Sequence, residues 1–452
     1  MDVQEQGLRD AVLSDPDSDD PRLIYADWLE ERGDVRGEFI RLQCQLSHEQ
    51  DGDQRWELQC RQEAMLEKYL LKWIKQLPKF GANAWGISPW HLGRRDGFVR
   101  GMMERATFGN HAQFAKFFDE MWKVTPVRHV RFNNWSKKGI HYCFENPSVY
   151  ERLRGLWLTW DSFDVELTQA VELFRMPNLD RLDTVRMADN AMNPAAMEAM
   201  LAAPLESIRR LDLHYTAREG ELVTQLAKWE RLDQLEDLRL SNNGCGASAA
   251  IALADADVNN LRRLDINGND VHDGLANFAT RLQAPNLKEL DISYNGLTSA
   301  GVQALARSSL LSRLFSLDLS SNPELDIDGI WNLVDTPNCS ELRRLKLSGC
   351  GLQDDALNAL AESKHLANLR ELDLSTNQFT GEGLRKFAGS SGLPNLEYLV
   401  IDHEQLSDDT HTIRGPLSGD THALLLDRFG NCKAGKDKGD NTVYASKEAY
   451  LS

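Results

Sequence analysis

From Val127 onward the chain repeats one phrase at a nearly fixed step. It is clearest as Leu287-Lys-Glu-Leu290-Asp-Ile292-Ser-Tyr-Asn295 and again as Leu369-Arg-Glu-Leu372-Asp-Leu374-Ser-Thr-Asn377. Units start at Val127, Leu153, Leu182, Ile208, Leu235, Leu261, Leu287, Leu314, Leu342, Leu369 and Leu396, 26 to 29 residues apart. Val127 and Leu153 open degenerate units, and Pro177-Asn178-Leu179 leaves a second register open for the unit at Leu182, three residues earlier. A period of this size constrains the fold more than any single residue does. Each unit is one supersecondary element whose apolar face is covered only by its neighbours, so the units must stack.

Within a unit, a short run with period-two apolar residues predicts a strand with one buried face. A helical run follows. Thr298-Ser299 is positioned to cap a helix carrying Val302, Leu305 and Ala306, and Asn193-Pro194 opens another with proline at the tolerated first position. The ninth place holds Asn190, Asn243, Asn269, Asn295, Asn322 and Asn377, with Cys350 substituting once. An amide there can satisfy backbone groups where the chain leaves the strand, which an aliphatic side chain cannot.

This L-x-x-L-x-L-x-x-N pattern resembles the leucine-rich repeat family, in its long-unit, ribonuclease-inhibitor-like class, over roughly residues 96–404. The resemblance implies an α/β right-handed solenoid shaped as a horseshoe, with parallel strands on the concave face and helices on the convex one. Eleven strands at roughly 4.8 Å give an inner arc on the order of 50 Å, wide enough for a folded protein.

The ends lack the repeat. In residues 1–48, Asp20-Pro21 starts a helix that Gly33 stops, Val35, Phe39, Leu42 and Leu46 mark a second amphipathic helix, and Gly7–Leu13 suits a shorter one. Asp20-Pro-Arg-Leu-Ile-Tyr-Ala-Asp-Trp-Leu-Glu-Glu-Arg-Gly-Asp34 with Arg36-Gly-Glu-Phe-Ile40 resembles the small "repeat-companion" domain found before repeats in planctomycete and myxobacterial proteins. Residues 49–95 read as a helix over 54–77 plus the connector Trp85–Arg95, completing an N-terminal cap. Arg95–Val99 is expected to enter the first degenerate unit, with a helix near Ala112–Trp122. Residues 405–452 read as a C-terminal cap segment, including Ala423–Phe429, and a mobile Lys/Gly/Asp tail.

The chain has 69 acidic and 51 basic residues, net −18, which disfavours a general nucleic-acid binder. The seven cysteines are dispersed and form no C-x-x-C. With no signal peptide and no membrane-spanning apolar run, this predicts a cytoplasmic protein with reduced thiols. Gly430-Asn-Cys-Lys-Ala-Gly435-Lys436-Asp437 fits seven places of a phosphate-binding loop, but Asp437 replaces the magnesium-holding hydroxyl and no helix is expected after it. No zinc, nucleophile-elbow or paired-carboxylate signature stands out, so neither a catalytic residue, a metal nor a cofactor is expected.

If the register is right, one column faces the concave side: Arg131, Trp157, Arg186, Asp212, Arg239, Asp265, Asp291, Asp318, Lys346, Asp373 and Val400. Asp265, Asp291 and Asp318 on consecutive strands would repel one another and attract a basic partner, although aspartate is also common at this place in such repeats. Trp135, Trp157, Trp160, His214, Tyr215 and Tyr294 add aromatic anchors of the kind that dominate interfaces. Two positions are open for the early tryptophans: facing outward, or buried against the N-terminal cap by a shift of register.

These features predict a non-enzymatic protein, monomeric alone or in a hetero-complex, that binds another protein with a basic patch. An adaptor, sensor or protease substrate in bacterial signalling or defence is one version. The rival reading is nucleotide or nucleic-acid binding through the tail or the Arg131–Arg186 region.

Overall fold

The computed structural model describes residues 3–49, 52–78, 97–132, 141–142, 145–146, 149, 151–158, 168–176, 178–187, 192–216, 221–402, 424–425, 428, 432–434 and 442–446. They fall into two compact units, Met1–Ile208 and Arg209–Ser452.

The first unit opens with four helices, α1 (Val3–Ser14), α2 (Asp20–Glu30), α3 (Arg36–His48) and α4 (Gly52–Gln76). The first three carry out the sequence expectation closely. Their apolar faces meet in two clusters. Val12, Tyr25, Ala26, Leu29, Ile40 and Cys44 pack with Met102. Phe39, Leu42, Leu58, Met65, Leu66 and Trp73 form the other. The expected connector Trp85–Arg95 lies outside the described residues.

A tight hairpin, β1 (Phe98–Val99) and β2 (Met102–Met103), turns through Gly101. Gly101 has φ +80°, and a Cβ there would stand 2.2 Å from Ile40 Cγ1. Both conditions demand glycine, and they press the hairpin onto α3. Val99 therefore belongs to an antiparallel hairpin, and the first repeat strand comes later than expected. It is β3 (Arg105–Phe108), followed by α5 (His111–Trp122), whose N-cap Asn110 accepts from the Gln113 N–H at 3.0 Å. Strands β4 (His129–Phe132), β5 (Gly155–Leu158) and β6 (Thr184–Arg186) continue in parallel. Arg186 pairs with Trp157, which settles the open register in favour of Leu182.

The second unit stacks eight parallel strands: β7 (Arg210–Asp212), β8 (Asp237–Arg239), β9 (Arg263–Asp265), β10 (Glu289–Asp291), β11 (Ser316–Asp318), β12 (Arg344–Lys346), β13 (Glu371–Asp373) and β14 (Tyr398–Asp402). A helix follows each of β7 to β13, from Glu221–Leu226 to Gly381–Gly389. This is an α/β solenoid with a helical N-terminal region. Leu238, Leu264, Leu290, Leu317, Leu345, Leu372 and Leu399 stand in register and are buried.

The ninth-place asparagines form a ladder between units. Asn269 Oδ1 accepts from the Asn243 N–H at 2.9 Å, Asn295 Oδ1 from Asn269 at 2.9 Å, and Asn322 Oδ1 from Asn295 at 2.9 Å. Each amide nitrogen donates back to strand carbonyls; Asn269 Nδ2 reaches the Leu240 and Ile266 oxygens, both at 2.9 Å. Buried backbone groups at these strand exits are thereby satisfied. Asn190 of this column lies outside the described residues.

Two local expectations part ways. Asn193 caps its helix by accepting from the Ala196 N–H at 2.8 Å. Thr298 stands at an N-cap but makes no cap bond; its hydroxyl donates to Asp273 Oδ1 at 2.8 Å. At the C-terminal side, β15 (Cys432–Ala434) and β16 (Thr442–Ser446) form an antiparallel pair, and β16 lies along β14. The β-branched and aromatic residues of Thr442-Val-Tyr-Ala-Ser446 suit a strand, so part of the expected mobile tail covers the edge of the last repeat. Among the described residues, no helix is long and apolar enough to cross a membrane.

Candidate interaction face

Each three-residue strand buries its central leucine and turns its outer two residues the other way. In the second unit this face carries two charged rows. The row expected from sequence runs Asp212, Arg239, Asp265, Asp291, Asp318, Lys346, Asp373 and Val400 in register. A row missed in the sequence lies two residues earlier: Arg210, Asp237, Arg263, Glu289, Ser316, Arg344, Glu371 and Tyr398. Period-two reading from the first row would have found it. Its charges nearly alternate and pair across strands. Arg263 Nη1 lies 3.2 Å from Asp237 Oδ2, Arg263 Nη2 2.7 Å from Glu289 Oε2, and Arg344 Nε 2.6 Å from Glu371 Oε2.

The aspartate row has a structural task. Asp265, Asp291, Asp318 and Asp373 each accept, through Oδ1, the backbone N–H two residues on, at 3.0 Å. This fixes the chain as it leaves the strand. Asp212 does the same for His214 at 3.2 Å and also meets His214 Nδ1 at 2.6 Å. Repulsion remains on top of that task. Burial, then Asp318 and Asp265 on either side, push the Asp291 carboxyl up to about 6. Burial also raises Asp265 and Asp373. Asp318 has a partner, Lys346 Nζ at 3.2 Å. Burial alone would lower that ammonium, yet Asp318 holds it above its usual value. Arg239 is likewise held above its usual value against burial, first by Asp237, 3.2 Å away.

Tyr215 and Tyr294 stand at the strand-exit edge of this face, 58% and 65% exposed. Both adopt left-handed backbone, φ +51° and +53°. Asn242, Gly268, Ser321, Gly349 and Thr376 fill the same place in other units, all with positive φ. The repeat imposes this conformation, and a tyrosine suits it poorly.

In the first unit the corresponding rows are Arg105, His129, Gly155, Thr184 and Thr107, Arg131, Trp157, Arg186. Trp157 stands in its expected row, with no shift of register. Its ring is nonetheless buried, 7% exposed, with the Arg105 guanidinium 3.7 Å and the Arg186 guanidinium 5.3 Å from its centroid. It is therefore no exposed anchor, and the cover includes arginines of its own face. Gly155 makes room beside it: a Cβ there would lie 2.0 Å from His129 Cδ2. Trp135 and Trp160 lie outside the described residues. At the tail, Cys432–Ala434 runs as a strand, where a phosphate-binding loop would need an open turn.

Comparison with known proteins adds the following. The Leucine Rich repeat family model matches residues 283–306, 338–361 and 365–388. Among curated proteins no match is found. A chain from the crystal structure of the Rad7 and Elc1 complex in yeast aligns at 16% identity, over 73% of this chain and 91% of that one, with a TM-score of 0.43. The matched residues contain β10, β12 and β13, each with the helix that follows it, so this chain carries leucine-rich repeats.

Proposed function

We propose that this is a non-enzymatic scaffold that binds another protein across the strand face of residues 209–402. The observation that carries the reading is the pair Tyr215 and Tyr294, held exposed beside the carboxylate row in a conformation that favours glycine or asparagine. Exposed aromatics next to charge are the usual anchors of interfaces. Asp291, flanked by like charges, suits a basic group on the partner, because a cation would relieve its repulsion. Among the described residues, Cys44, Cys245, Cys339 and Cys350 are buried and form no disulfide, which supports a reducing, cytoplasmic setting. A bacterial adaptor or sensor, monomeric until it meets its partner, fits this description.

The test is affinity capture from the source cell with wild type beside Tyr215→Ala/Tyr294→Ala. Recovery of one protein with wild type only supports the reading. Equal recovery with both moves the interface away from this face. Recovery of nucleic acid alone favours the rival reading.

A further inference from the structure

We propose that the outer edge of β14 is a docking site for an extended segment of a partner protein, and that β16 of this chain occupies it as a displaceable strap. This rests on the protein-binding reading above and adds a second surface to it.

The edge follows from the repeat. Strands β7 to β13 are joined in parallel, three residues to each step. β14 runs for five, Tyr398–Asp402, and meets β13 through Tyr398, Leu399 and Val400. It is the last repeat strand, so no further unit takes the N–H and C=O groups on its far side. β16 takes them instead, antiparallel, from Tyr398 opposite Ser446 to Asp402 opposite Thr442. A main-chain ladder of this kind accepts any extended segment of suitable sequence.

The strap is not what fastens the end of the chain. Leu425 is fully buried, and the Arg428 guanidinium donates to the Ala388 carbonyl and to Ser390 Oγ, both at 3.1 Å. Those partners lie at the end of the last repeat helix, Gly381–Gly389. The chain is thus anchored to the last unit before β16 begins. Beyond β16 stands only the three-residue β15, and a two-stranded ribbon is marginal by itself. The residues between them, Gly435-Lys-Asp-Lys-Gly-Asp-Asn441, bring no large apolar side chain to bury.

The strap's own sequence names the chemistry of its competitor. Thr442-Val-Tyr-Ala-Ser446 is β-branched and aromatic, uncharged and free of proline. Thirteen residues separate Arg428 from Thr442, so β16 is presented at a local concentration on the order of millimolar. A second copy of the chain lacks that advantage. A partner already held on the neighbouring strand face has it.

The test is fluorescence anisotropy of the full chain with a labelled peptide, Asp-Asn-Thr-Val-Tyr-Ala-Ser-Lys-Glu, the sequence of residues 440–448. Val443→Pro/Tyr444→Pro removes two successive N–H groups, one of which faces β14 whichever way the strand is turned. That variant should bind the peptide at least ~10-fold more tightly than wild type, whose own strand competes. The same peptide with proline at both places should bind neither. Hydrogen exchange of wild type is the second readout: amides of 442–446 should exchange at least ~10-fold faster than that of Leu372 in β13. It carries the test if the variant lacks the wild-type circular dichroism. Equal affinity of the two proteins, no binding by a folded variant, binding of the proline peptide, or strap amides protected like Leu372 would each overturn the proposal. So would a wild-type dimer that the variant loses, which would seat the strand of a second copy on β14. The peptide needs no partner on the strand face, so its failure leaves the tyrosine reading standing.

Discussion

Arg22 on α2 places its Nη2 2.6 Å from Glu104 Oε1, and both side chains are sealed from solvent. The same guanidinium reaches the Arg100 carbonyl at 3.2 Å and the Pro16 carbonyl at 2.9 Å. Around it, Arg100 meets Asp19 at 3.0 Å and Arg128 meets Asp17 at 2.6 Å. The helical domain is thus tied into the first repeats, and its segment 15–19 covers the start of their strands. Removing one partner of such a pair leaves a buried, uncompensated charge. Glu104→Ala should therefore destabilise the first unit by roughly 3–5 kcal/mol. Urea unfolding followed by fluorescence of the first unit's tryptophans checks this; a loss under about 1 kcal/mol would show that water reaches the pair.

The pH response of Asp291 has a definite sign. Its folded carboxyl titrates near 6, above the ordinary carboxylate range, because burial and Asp318 and Asp265 disfavour its charge. Between the unfolded and folded values the folded state binds the extra proton, so this group lowers stability at neutral pH. That penalty fades as pH falls through about 6. Asp291→Asn keeps an oxygen for the Ser293 N–H and drops the charge. It should be more stable than wild type by about 1–2 kcal/mol at pH 7.5 and level with it by about pH 4.5. Denaturation of both proteins across that range decides; a constant difference would mean that Asp291 is not the titrating group. Taking the difference cancels Asp17, Asp19 and Asp34, whose lowered values make wild type lose stability in acid.

The ladder predicts opposite effects at two of its steps. Asn295 Oδ1 serves the Asn269 N–H at 2.9 Å and the Val271 N–H at 3.2 Å, and its Nδ2 reaches the Ile266 oxygen at 3.0 Å. Asn295→Ala strands these buried groups and should cost roughly 3–5 kcal/mol. Cys350 occupies the same place, and its thiol donates to the Leu319 carbonyl at 3.2 Å in place of an amide. Cys350→Asn completes the ladder and should stabilise by about 1 kcal/mol. Thermal unfolding of the two variants tests the pair, and a stability loss in Cys350→Asn would mean that the site is packed for sulfur.

How much of this was legible in the sequence depends on what each residue must do. The asparagine column, the leucine rows and the register of Asp265, Asp291 and Asp318 follow from period alone, and the structure pairs them as read. The first repeat strand was missed because its buried positions are Ala106 and Phe108, with no leucine to mark the repeat. The cover on Trp157 was not legible, since it depends on Arg105 reaching from two strands away. The structural task of the aspartates was not legible, because their bonds to the Asn267 and Ser293 backbone leave no trace in spacing. The left-handed place before the ninth position of each unit was visible as Gly268 and Gly349 but hidden where tyrosine fills it.

That last place gives the sharpest test of the proposed face. Tyr294 holds φ +53° with its ring 65% exposed, so it gains little packing for its strain. Asparagine adopts this conformation readily, as Asn242 does in the second unit. On stability alone, Tyr294→Asn should be neutral or gain up to about 1 kcal/mol. If the ring is retained as an anchor, the same change should weaken capture of the partner at least ~10-fold, the ordinary cost of losing an interface tyrosine. Melting and capture measured on one preparation separate the two roles. A variant that melts higher and binds less places the tyrosine on the functional side of a stability–function trade-off. One that melts lower with binding intact would show that the ring supports the fold in a way its exposure conceals.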